Sequence, residues 1–75
     1  MEQTQLSRML DSYRNAVDEW VITIRAEESL ASVEPTVAQL DRWEGAHFAE
    51  EIARAHAKQA KIDYEGAVRS MQFGF

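Results

Sequence analysis

Three residues of this chain have the type and the spacing to act on one chemical object together. Glu44 and His47 stand three apart, and Glu51 follows four residues after His47. On a helix, residues three and four apart share a face, so these side chains project together, beside Leu40, Phe48 and Ala55. Acids and an imidazole on an otherwise apolar face need partners, because an unpaired charge taken out of water is strongly disfavoured. A divalent cation is one such partner. Arg42, Arg54, Lys58 and water at the margin of the face are the ordinary alternative. Glu27 interrupts an apolar seam earlier in the chain and can supply a further ligand, with Glu28 as its neighbour. His56 falls away from that face and is read as solvated.

Other chemistries are poorly provided for. There is no cysteine, which removes thiolate catalysis, disulfides and any thiolate-based zinc site. None of Ser7, Ser12, Ser29, Ser32 and Ser70 sits in a Gly-x-Ser-x-Gly turn. No glycine-rich phosphate loop is present. With 13 acidic against 8 basic residues the net charge is −5, which argues against a nucleic-acid partner. The densest apolar run, Trp20 to Ile24, is far short of the ~20 residues of a membrane span. Nothing at the start reads as a secretory signal, so a cytoplasmic location is expected.

The elements that must carry these residues are two helices. Leu6, Leu10, Tyr13, Val17, Trp20, Ile24, Glu27 and Ala31 recur at alternating steps of four and three, apolar except for Glu27. Asp11, Arg14, Asp18 and Arg25 fall between them, as a solvated face requires. The spacing predicts a helix over 4–31. Pro35 pushes the residue before it out of helical geometry and itself suits a first helical turn, so a connection at 32–35 is expected. Asp41 with Glu44 offers a later start, as a capping box. The second helix is expected over 36–70, with an apolar, glycine-broken tail at 71–75 that packs on the assembly or docks a separate protein. Gly45 and Gly66 lie inside this helix, each costing about 1 kcal/mol against alanine.

That second helix has two faces. One carries Ala46, Ala53, Ala57, Ala60, Tyr64, Ala67 and Met71, mostly small side chains that let a neighbouring helix approach closely. The other carries Val37, Leu40, Glu44, His47, Phe48, Glu51, Ala55 and Ile62. One hairpin supplies a partner for only one face. At 1.5 Å per residue the helices are roughly 40 and 50 Å long, too slender a pair to hide both. The 75 residues are therefore expected to form one all-α domain, an antiparallel two-helix hairpin that pairs into a four-helix bundle as a dimer or larger homo-oligomer.

The Glu44-Gly45-Ala46-His47 stretch resembles the Glu-x-x-His motif of ferritin-like di-iron carboxylate proteins, in particular two-helix members that complete their site by dimerising. The resemblance covers four residues. It implies iron or another divalent metal, ferroxidase-like oxidation, and Glu44 and His47 as ligands, with Glu51 and Glu27 in support. The chain departs from the pattern in having one such motif where full-length members have two. Trp43-Glu44-Gly45 is similar to the Trp-x-Gly turn of small helical-hairpin proteins exported by Gram-positive bacteria, but Pro35 marks the turn here, and Val68 stands where an acid would follow Tyr64. The leading expectation is a small acidic, non-enzymatic oligomerisation or protein-interaction module. The alternative is a metal-binding bundle completed across a dimer interface.

Overall fold

The computed structural model describes residues 3–31 and 33–74. Two helices account for nearly all of them: α1, Gln3–Ser29, and α2, Val37–Phe73. Parts of the expected connection and tail, at Ser32 and Phe75, lie outside the described residues.

The helices run antiparallel. Tyr13 meets Tyr64 with ring centroids 6.2 Å apart, Trp20 bonds to Glu50, and Glu27 faces His47, so advancing along α1 means retreating along α2. The molecule measures 56 × 16 × 14 Å, a rod two helices wide. Its radius of gyration is 17.1 Å, against about 11 Å for a compact domain of this length. No described helix is long and apolar enough to cross a membrane.

Local chemistry sets the ends. Thr36, not Asp41, caps α2: its hydroxyl accepts from the Gln39 amide, and the Gln39 side chain accepts from the Thr36 amide. This reciprocal box satisfies two of the orphan donors of the first turn. Pro35 therefore stands just before the cap. Trp43, Glu44 and Gly45 lie within α2 rather than in a turn. At the other end the helix passes position 70 and continues through Phe73. It stops at Gly74, whose φ of 75° is the left-handed conformation glycine adopts freely. Much of the expected tail is thus a last helical turn. The first helix ends at Ser29, two residues short of expectation, where Leu30 and Ala31 turn on bonds to Glu27 and Glu28.

The faces sort as their side chains dictate. Ala53, Ala57 and Ala67 are buried against α1. No large side chain is fully buried among the described residues. A contact built on alanine brings two backbones close but removes little apolar surface from water, so it stabilises a hairpin weakly. Val37, Leu40, Phe48, Ile52 and Ile62 remain exposed on α2, as do Val21, Ile22 and Ile24 on α1.

Candidate functional site

Near the middle of the rod the apolar seam gives way to polar side chains. Glu50, only 8% exposed, is the one buried charged residue among the described residues. The Trp20 indole N–H donates to its Oε2 at 2.7 Å. Arg54, one turn along α2, donates from Nε to Oε2 at 2.9 Å and from Nη2 to Oε1 at 2.7 Å. The guanidinium thus forks onto the carboxylate, the strongest neutralising geometry a side chain offers. Every buried polar side-chain atom among the described residues has a partner.

The electrostatics follow from this geometry. The Arg54 hydrogen bond, then the Trp20 bond, hold the Glu50 carboxyl below its ordinary 4.5; burial opposes them and loses. Arg54 is raised by the same contact.

The neighbouring group contains three of the four expected residues. Glu27 Oε1 lies 3.4 Å from His47 Nδ1, and Glu51 Oε1 lies 3.0 Å from His47 Nε2. The hairpin brings Glu27 to His47 from the opposite helix, while Glu51 reaches it by i,i+4 spacing. These contacts are ion pairs only when His47 is protonated. Glu44 is exposed and stands outside this group.

A cation would find a mixed reception. Glu27, His47 and Glu50 each offer one ligand atom, all within 4.8 Å of one another. The 3.4 Å separation of Glu27 and His47 suits two ligands of one ion at ordinary bond lengths of about 2.0–2.2 Å. Glu50 suits it poorly, because both its oxygens are engaged by Arg54 and Trp20 and a fixed positive charge sits beside them. His47 turns its other nitrogen to Glu51, on the far side of the ring. One chain thus offers two well-placed ligands, and the set does not fit a bridged di-iron centre as it stands.

Glu50 and Arg54 read in sequence as an unremarkable surface pair. What the sequence does not signal is Trp20, thirty residues away and joined only by folding. Elsewhere the rod carries an open groove lined by Ala16, Thr23, Ala49, Ile52 and His56. A smaller hollow at the hairpin end is walled by Leu30, Pro35, Leu40 and Trp43. Comparison with protein-family models, with curated proteins and with solved structures finds no match.

Proposed function

We propose that this chain is a self-associating helical-hairpin module, a small non-enzymatic unit of assembly or protein interaction that works through its helix faces. One observation carries the reading. Among the described residues, those buried are three alanines and Glu50, while twelve large apolar side chains are exposed. The accessible surface is 5827 Å², against about 4,700 Å² for a compact chain of 8.6 kDa. The surplus, roughly 1,100 Å², exceeds the ~800 Å² per partner of a standard protein–protein interface. The polar cluster fits this role as an internal lock: its members bond to one another, and Trp20, Glu50 and Arg54 fix how α1 lies on α2.

Sedimentation equilibrium at micromolar concentration tests the reading. The expected result is a mass of two chains or more, with helicity falling on dilution. A helical species of one chain's mass at all concentrations would refute it.

The second reading is a divalent-cation site, favoured by the pairing of Glu27 with His47 across the hairpin. Here Glu27 and His47 are the ligands, with Glu51 beside them, and a second copy supplies the rest. Elemental analysis of purified protein decides it, followed by titration with ferrous and zinc ions. Metal uptake lost in His47→Ala would support this reading, and protein that takes up neither ion would end it.

A further inference from the structure

We infer that a second copy docks on the outer face of α2, antiparallel to the first, about a two-fold axis at Ala55. This rests on the self-association reading and adds to it the face, the direction and the register.

The face is the one α1 leaves open. Five residues turn a helix by about 140° beyond a full circle. That separates Phe48 from buried Ala53, and Ile62 from buried Ala57. Phe48 is 66% exposed and Ile62 61%, with Ala55 exposed between them. The surface surplus given above is more than one side of a standard interface requires.

Direction and register come from the order of residues about Ala55. Phe48 and Ile62 each lie seven residues from it, Asp41 and Arg69 each fourteen. Steps of seven keep a residue on one stripe of a helix. In an antiparallel pair centred on Ala55, Phe48 therefore packs on Ile62 of the second copy, and Asp41 meets its Arg69. Each contact is made twice by symmetry. A parallel pair in register would instead set Asp41 against Asp41 and Arg69 against Arg69. Within the protomer neither Asp41 nor Arg69 makes an ion pair among the described residues.

Gly66 adds an independent observation. A Cβ built there meets nothing within 4 Å, so no contact among the described residues calls for glycine in the middle of this helix. Eleven residues beyond Ala55, it falls opposite Glu44 of the second copy, eleven residues before. Room at position 66 lets the backbones approach beside that longer side chain. The same register sets the two His47 side chains about 24 Å apart along the axis, so this dimer does not complete a metal site from both copies.

The chain has no cysteine, so single introduced cysteines report the register directly. Ala55→Cys should form a disulfide-linked dimer under mild oxidation, since that bond needs Cα atoms within about 7 Å. Ala38→Cys, also exposed on α2, should not, because its copies would stand about 50 Å apart. Asp41→Arg and Arg69→Asp should each weaken the dimer on the order of tenfold, and the doubly swapped chain should regain most of the loss. Equal linking at both cysteines, or a double swap no tighter than either single variant, overturns the register. A dimeric native chain whose Ala55→Cys variant stays unlinked overturns the face but leaves the self-association reading intact. A monomeric native chain overturns both.

Discussion

The two long faces of α2 invert the usual arrangement of a small helical protein. Against α1 the helix presents Ala53, Ala57 and Ala67, buried; away from it, Phe48, Ile52 and Ile62, exposed. In a self-sufficient hairpin the larger side chains would lie inside, because burial energy scales with apolar area. Here the inner face is built for closeness and orientation, with Glu50 gripped by Trp20 and Arg54 as its fixed polar point. The outer face carries large apolar side chains that remain exposed. Geometry is set within the chain, and the proposed self-association would defer much of the stability to the contact between chains.

The largest expected effect is on the outer face. Ile62→Asp would remove an apolar contact made twice in the proposed dimer and should cost about 3 kcal/mol or more of association. That is over a hundredfold in dissociation constant, read by sedimentation. If this variant dimerises like the native chain, the contrast between the faces loses its meaning. Next comes overpacking of the inner face. Ala57, 3% exposed, has no room for a larger side chain, and Ala57→Leu should destabilise the hairpin by about 1–3 kcal/mol in urea unfolding. The outer Ala55→Leu should be far milder in monomeric protein.

The polar lock makes the inner face sensitive to acid. Glu50 is held below 4.5 when folded, so it binds fewer protons folded than unfolded. Its contribution is complete above the unfolded value and is lost as pH falls through the folded one. Thermal melts should be unaffected by this residue near neutrality and should weaken below about pH 4.5. In Glu50→Gln that acid-side loss should shrink. An unchanged acid slope in the variant would mean that Glu50 plays no such part. The smallest effect is that of Gly66→Ala, which should raise helix stability by about 1 kcal/mol in monomeric protein. In the dimer the gain should be cancelled by crowding at the interface, as the urea midpoint at high and low protein concentration would reveal.

Much of this architecture is legible in the amino-acid sequence, for physical reasons that particular residues display. The seam from Leu6 to Trp20 and the alanine face of α2 are periodic over many turns, and period is what a helix imposes on sequence. Pro35 announces the break. The start of α2 is ambiguous in sequence because Thr36 with Gln39 and Asp41 with Glu44 carry the same capping chemistry, and only the chain's path chooses between them. Its end falls later than the pattern predicts, because the apolar residues from Met71 onward read as a separate tail, whereas the helix runs on through them to Gly74. In the candidate site, Glu27, His47 and Glu51 come together as their positions suggest, while Glu44 stays apart. Glu50 is hidden from sequence reasoning because its ordinary i,i+4 pair with Arg54 gives no hint of Trp20 across the hairpin.

Whether the hairpin associates with a second copy is decided by sedimentation equilibrium of the native chain, with helicity followed by circular dichroism over the same concentrations. The expected outcome is twice the chain mass at micromolar protein and a loss of helix as dilution separates the copies. A fully helical chain sedimenting at 8.6 kDa throughout would contradict it.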